Sequence, residues 1–324
     1  MIRRSIATAL ALSCAVLYAG PARTAPASDA PATVTIVYQP GIGYATLIVM
    51  HQRGTLEKMY PGTKFDWRAL ANGSAIRDGF LAGQIQIGAG GAGPFLVGWD
   101  KGVGYRLVAA MNEMNLYLVA KDPKIKSIKD LSASSKIGVP SPDAIQAVAL
   151  RKAAQDQLGN AHFFDTSFVA IAHPLGVVAL AAGQLDAHFT SPPFQQEELD
   201  SGDHVILKSY DVMGKSTFNS IYTTEAFAKE HPQFMSAFSR AIEETTKFIV
   251  SRPDETADLL AKDADNKVPA AQFKKWLSSP DITFTTTPHG FLKVARFMQQ
   301  IGFIGRAPAS ISELELPSLK GEGD

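Results

Sequence analysis

A chain of 324 residues is long enough for two packed domains rather than one small core. Hydrophobic residues make up 46% and charged residues 19%, which excludes a disordered or fibrous polypeptide. With 31 basic and 31 acidic residues the formal charge is zero, so there is no basic field for nucleic acid and no acidic tail.

Residues 1–27 read as a secretory signal peptide. Arg3 and Arg4 supply the positive start, an apolar run extends from Ile6 to Ala19, and small, Pro-containing stretches place cleavage near Ala22 or Ala27. The run of about 14 residues is short of the roughly 20 that span a bilayer, so the expectation is export to the periplasm. Two variants stay open. One is a twin-arginine signal, against which Ile6 and the missing Lys count. The other is lipidation at Cys14, which sits early in the run. Cys14 is the one cysteine, so a cleaved chain has no thiol for disulfides, zinc-thiolate sites or nucleophilic catalysis.

After a linker at 28–33, strands are predicted over 34–38, 64–70, 85–88 and 105–110, with helices over 44–59, 74–82 and 94–101 between them. This alternation predicts an α/β fold with a largely parallel sheet. Ligands of such sheets bind beyond the carboxyl ends of the strands, here the Gly-, Asn- and Ser-rich segments 39–43, 71–73, 89–93 and 111–114. A second block repeats the theme, with strands at 136–139, 168–172, 187–190 and 205–207 and helices at 143–158 and 175–182. Helices over 225–249, 254–262, 270–277 and 291–301 complete the chain, with Glu230-His231-Pro232 and Ser251-Arg252-Pro253 marking their boundaries. Ala82-Gly83-Gln84-Ile85 leading to Pro94-Phe95 is echoed by Ala182-Gly183-Gln184-Leu185 leading to Pro193-Phe194. Coincidence can produce so short an echo; its physical reading is two lobes of similar build facing each other across a cleft.

Ser74, Pro94, Asp143 and Pro193 each stand where a helix is predicted to begin. Helix starts carry unpaired N–H groups and partial positive charge, so several aimed into one cleft favour an anionic or strongly polar group without a basic side chain. The candidate ligand-binding residues are Gly43, Tyr44, Ser74, Gly93, Asn112, Asp143, Thr190 and Phe194. Four have a plainer alternative: Ser74 and Asp143 as helix caps, Tyr44 as core, Asn112 as the end of its strand. Tyr44 and Phe194 are expected to cover apolar parts of the ligand.

Enzyme signatures are weak. Gly88-Ala89-Gly90-Gly91-Ala92-Gly93 fits a dinucleotide-loop spacing, but Pro94 follows the last Gly, and a cleft loop is the plainer reading. Gly214-Lys215-Ser216-Thr217 lacks the first Gly of a phosphate loop, since Ser209 stands there. His173 and His188 are expected to be packed or solvated rather than metal ligands. The expectation is no catalysis, no cofactor and no metal.

Taken together, Asn72-Gly73-Ser74-Ala75, residues 81–88, Gly91-Ala92-Gly93-Pro94, Ile128-Lys129-Asp130-Leu131, Ala181-Ala182-Gly183-Gln184-Leu185-Asp186-Ala187, Ala228-Lys229-Glu230-His231-Pro232 and residues 252–257 make the chain resemble a known family. It is similar, from about Val34 to Leu314, to the nitrate/sulfonate/taurine-type (NitT/TauT) substrate-binding proteins of ABC importers, related in fold to thiamine-pyrimidine-synthase-like proteins. The resemblance implies a periplasmic-binding-protein-like type II fold: two α/β lobes joined by a two-segment hinge around a ligand cleft. Lobe one would be 33–118 plus 215–324 and lobe two 119–214, with crossings near 119–120 and 212–215 and Gly214 absorbing hinge rotation. It further implies a monomer that delivers a small-molecule ligand to ABC permease subunits in the inner membrane. A ligand-sensing receptor for a membrane kinase or chemoreceptor is the alternative, and a pyrimidine-related binding protein or enzyme a more distant one. Where many members carry a Trp-Glu-Pro-aromatic sequence this chain has Ser191-Pro192-Pro193-Phe194, so those contacts do not carry over.

Overall fold

Residues 29–317 and 323–324 are described by the computed structural model, and the predicted signal peptide lies outside them. The strands are β1 (Thr33–Tyr38), β2 (Lys64–Ala69), β3 (Ile87–Gly91), β4 (Tyr105–Met114), β5 (Tyr117–Ala120), β6 (Ile137–Val139), β7 (Phe168–Ala170), β8 (Ala187–Phe189), β9 (His204–Lys208), β10 (Thr217–Thr224) and β11 (Ile282–Phe284). They sort into two sheets, of order β11-β4-β10-β3-β1-β2 and β7-β6-β8-β5-β9. β1 reads Thr-Val-Thr-Ile-Val-Tyr and is buried after its first residue, as a parallel strand covered on both faces must be.

The helices are α1 (Ala45–Gln52), α2 (Thr55–Met59), α3 (Gly73–Leu81), α4 (Ala92–Asp100), α5 (Ile145–Leu158), α6 (His173–Ala181), α7 (Phe194–Asp200), α8 (Ser209–Met213), α9 (Glu225–Glu230), α10 (Pro232–Ser251), α11 (Pro253–Asp263), α12 (Ala270–Leu277) and α13 (Phe291–Gln300). One apolar core runs from Phe95, Tyr105 and Phe291 in the first lobe through α5 to Phe164 and Phe189 in the second. A second core packs α1, α10 and α12 on the far face of the first sheet, through Leu47, Phe238 and Trp276. No helix among the described residues is long and apolar enough to cross a membrane.

The sheets are mixed, where a largely parallel one was expected. β1 runs parallel to β2 and β3, whereas β10 lies antiparallel to β3 and β4. In the second sheet β6 runs parallel to β7 and β8, and β5 lies antiparallel to β8 and β9. Apart from the extra edge strand β11, antiparallel to β4, the two sheets share one strand pattern, and the central antiparallel member of each is the strand that arrives from the opposite lobe. The Ala-Gly-Gln echo has the same physical basis. Gly83 and Gly183 take φ of 67° and 69°, and each helix closes alike, with Gly83 N donating to Phe80 O and Gly183 N to Leu180 O. At such φ a side chain is strained, so Gly ends both helices.

Sheet membership puts the first crossing at Asn115–Leu116, ahead of the expected 119–120, because Tyr117–Ala120 is already a strand of the second sheet. Segment 111–114 is the end of β4, held by β10 and β11, and not a loop. The helix predicted over 44–59 breaks at Gly54, which precedes α2. The helical stretch 225–249 divides at the expected boundary, His231-Pro232, because Pro at the start of α10 cannot continue α9. The second crossing runs beside the first: Ser209 N donates to Leu116 O at 2.8 Å and Leu116 N to Ser209 Oγ at 2.8 Å. Gly214 follows, with φ 70°.

Candidate functional site

A cavity of about 30 Å³ lies between the lobes. The first lobe contributes Gln39, Tyr44, Phe218 and Asn219, and the second Gln146, His173 and Ser191. No Lys, Arg, Asp or Glu lines it among the described residues. What it has instead is helix starts. The first residues of α4, α5 and α6, or the residues just before them, border it through Gly91 and Pro94, Ala144 to Gln146, and Ala172 to Pro174. Their N-caps are Gly91, Ala144 and Ala172, none of which gives the helix a side-chain hydrogen bond. An α-helix leaves its first four N–H groups without intrahelical partners and carries about half a positive charge at that end. Pro94 and Pro174 carry no N–H, so the three uncapped starts offer their remaining first-turn N–H groups and positive potential with no cation.

The side chains add neutral donors and acceptors. Tyr44 Oη donates to Asn219 Oδ1 at 3.2 Å, and burial holds the phenol protonated far above its ordinary range. Behind them, Gly43 O accepts from Asn112 Nδ2 at 2.6 Å and from Asn219 Nδ2 at 3.2 Å. His173 is kept neutral by burial first and by its neighbour His188 second.

Of the sequence candidates, Tyr44 lines the cavity. Gly43 and Asn112 form the layer that fixes Asn219 rather than the wall. Ser74, Gly93 and Asp143 meet at the contact between the lobes. Asp143 Oδ1 accepts from Ser74 Oγ at 3.0 Å and from Ser141 Oγ at 2.5 Å, while Arg77 Nη1 stands 2.5 Å from Oδ2. Ser74 and Arg77, three residues apart on α3, share a face and reach across together. Neither acid nor hydroxyl caps its helix: Asn72 caps α3 by accepting from Ala75 N, and Ala144 precedes α5. A Cβ on Gly93 would stand 2.1 Å from Asp143 O, so only Gly allows this approach. Thr190 is buried and bonds Tyr117 O through its N–H. Phe194 stacks on His173, ring centroids 5.7 Å apart, and faces a second cavity of about 590 Å³ with Tyr38, Phe273 and Trp276. Pro40 and Pro174 border both cavities.

The cavity residues that sequence reasoning passed over are Gln146, His173, Phe218 and Asn219. The last two lie on β10, whose run Thr-Phe-Asn-Ser-Ile-Tyr-Thr-Thr carried an ordinary strand signal. The Gly88–Gly93 run is the end of β3 and the first turn of α4. Its glycines answer to packing, Gly88 against the Phe80 ring and Gly93 against Asp143 O.

A model of the NMT1-like family matches residues 27–263, while no curated protein matches the chain. Among solved structures, the alkanesulfonate-binding protein of Xanthomonas axonopodis pv. citri, bound to MOPS, has 18% identity and a TM-score of 0.71 over 85% of this chain and 95% of that one. The periplasmic nitrate-binding protein of Synechocystis PCC 6803 has 12% identity and a TM-score of 0.71, over 89% and 87%. A Candida albicans protein described as having the generic periplasmic binding protein fold has 14% identity and a TM-score of 0.68, over 90% and 96%. At these identities the likeness establishes the fold.

Proposed function

The chain belongs to the NMT1-like family, and from that premise we propose that it is an exported solute-binding protein delivering a small anionic or strongly polar organic solute to an ABC importer. The observation that carries the reading is the interlobe cavity, bordered by three uncapped helix starts and by no charged side chain. A sulfonate, nitrate or carboxylate head suits it. Micromolar affinity requires about 8 kcal/mol net, which a few charge-assisted hydrogen bonds of roughly 1.5–3 kcal/mol each supply. The solved alkanesulfonate- and nitrate-binding proteins of the same fold support this choice of solute class.

The two adjoining cavities suit a two-part solute. The inner one holds a head of a few atoms, and a tail extends past Pro40 and Pro174 toward Phe194, Phe273 and Trp276. Closure follows because a solute touching both lobes binds the shut form better. Such a protein needs no reactive group, and the solute leaves unchanged.

The test is calorimetry of purified protein against ethanesulfonate, taurine, nitrate and acetate, together with mass spectrometry of any solute released on denaturation. The reading expects micromolar binding of at least one anion and recovery of that solute intact. Failure to bind any of the four, or conversion of a bound one, contradicts it.

A further inference from the structure

Behind the cavity wall runs a row of buried hydrogen bonds. Gln146 Nε2 stands 3.2 Å from His173 Nε2, His173 Nδ1 stands 3.2 Å from His188 Nε2, and His188 Nδ1 stands 2.5 Å from Glu198 Oε1. Gln146, His188 and Glu198 are each buried to at least 98%, with exposures of 2%, 0% and 1%. The row has been given room. A Cβ on Gly176 would lie 2.4 Å from His188 Cε1 and Nε2, and one on Gly138 would lie 3.1 Å from its Cδ2. Phe194 stacks on the open face of His173.

Such a row has two polarities. If Glu198 is ionised, His188 carries its hydrogen on Nδ1, His173 carries its own on Nδ1, and His173 Nε2 accepts from the Gln146 NH₂. If Glu198 is protonated, every bond reverses. Its O–H donates to His188 Nδ1, His188 Nε2–H donates to His173 Nδ1, and His173 Nε2–H needs an acceptor. Gln146 supplies one by turning its amide over, because the oxygen and the NH₂ occupy the same outline. Gln146 lines the cavity, so the first state shows the solute an acceptor and the second a donor.

We propose that Glu198 is a positioning residue that, through His188 and His173, turns the Gln146 amide so that its NH₂ faces the solute at neutral pH. The inference rests on the anion-site reading for its functional consequence only. Burial and the nearby Asp203 push the Glu198 carboxyl up to about 9, and burial holds His188 neutral. The other charged groups bearing on this end are Glu197, itself raised by burial and by Glu198, and Asp203, offset by Lys121 and His204. Among the described residues no cation touches Glu198 and its Oε2 has no hydrogen-bond partner, a vacancy less costly for a neutral acid than for a carboxylate. Loss of the proton is balanced along the row. The Glu198 hydrogen passes to His188 Nδ1, the His188 Nε2 hydrogen passes to His173 Nδ1, and the His173 Nε2 hydrogen leaves to solvent.

The experiment is ¹⁵N spectroscopy of the imidazoles in the full mature protein and in Glu198→Gln, from about pH 7 to about pH 10, with ethanesulfonate affinity measured alongside. The proposal expects Nε2–H tautomers of His173 and His188 at neutral pH that convert to Nδ1–H as Glu198 ionises, and no conversion in Glu198→Gln. Ethanesulfonate affinity falls about tenfold over the same range in the wild type and stays level in the variant, one charge-assisted bond having been exchanged for a repulsive lone pair. Nδ1–H tautomers already present at neutral pH, imidazolium signals, or conversion without an affinity change overturn it. Absence of ethanesulfonate binding at every pH contradicts the anion-site reading instead, while the imidazole spectra still decide the polarity of the row.

Discussion

Gly93 and Asp143 were picked from sequence as ligand contacts on the strength of their place near helix starts. Their place in the fold is the seam between the lobes, where Asp143 is gripped by Ser74 and Arg77 from the opposite side. Both partners of the ion pair are largely buried, with exposures of 14% and 9%, so its loss counts for more than a surface pair. Gly93→Ala places a methyl against Asp143 O and is expected to block the last approach of the lobes. We expect at least a tenfold loss of solute affinity, roughly 1.4 kcal/mol, with little change in the melting temperature of solute-free protein, because the open form relieves the clash. Equal affinities by calorimetry would show that this contact plays no part in closure. The sequence marked Gly93 and Asp143 as special but not why, since a short polar residue before a helix reads the same as a cap or as a bridge. Arg77 carried a usable signal, one turn along from Ser74.

Elements were more legible than residues. The strands and helices around the cleft follow apolar periodicity and Pro/Gly punctuation, and their errors are of two physical kinds. Strands buried by pairing were missed or shortened: β5 was read as a crossing, and β10 was not read at all, although Thr223 and Ile221 lie between two neighbours in the centre of the sheet. For β5 tertiary pairing decides, whereas the β10 run carried a local strand signal that went unread. The uncapped helix starts were not legible as such, because Ala144 and Ala172 look unremarkable until the fold turns them toward one cavity. They lead to a prediction that runs against ordinary capping. Asp at a helix N-cap normally stabilises a helix by about 1 kcal/mol relative to Ala. Ala172→Asp is therefore expected to hold or raise the melting temperature while weakening anion binding at least tenfold, because its carboxylate takes the amides and adds a like charge. Unchanged binding in a cap-forming variant would contradict the role assigned to the start of α6.

At the scale of the molecule, two sheets of matching strand pattern exchange one strand each, and the crossings lie side by side at Leu116 and Ser209. Asn115 ties them further, taking the Tyr210 N–H on Oδ1 and donating from Nδ2 to Asp281 Oδ1. The doubled layout was legible in the repeated Ala-Gly-Gln, and the mixed strand direction was not, because direction is set by where the crossings return. The central claim is that this hinge closes on an anionic head gripped by main-chain amides. The most direct measurement is the distance between spin labels at Asp78→Cys on α3 and Val178→Cys on α6, both exposed, in protein produced without residues 1–27 and so without Cys14, the one cysteine. With ethanesulfonate, or whichever of the tested anions calorimetry shows to bind, the distance distribution is predicted to shorten and narrow to a single population. A distribution that stays the same in the presence of a saturating, bound anion would contradict the account.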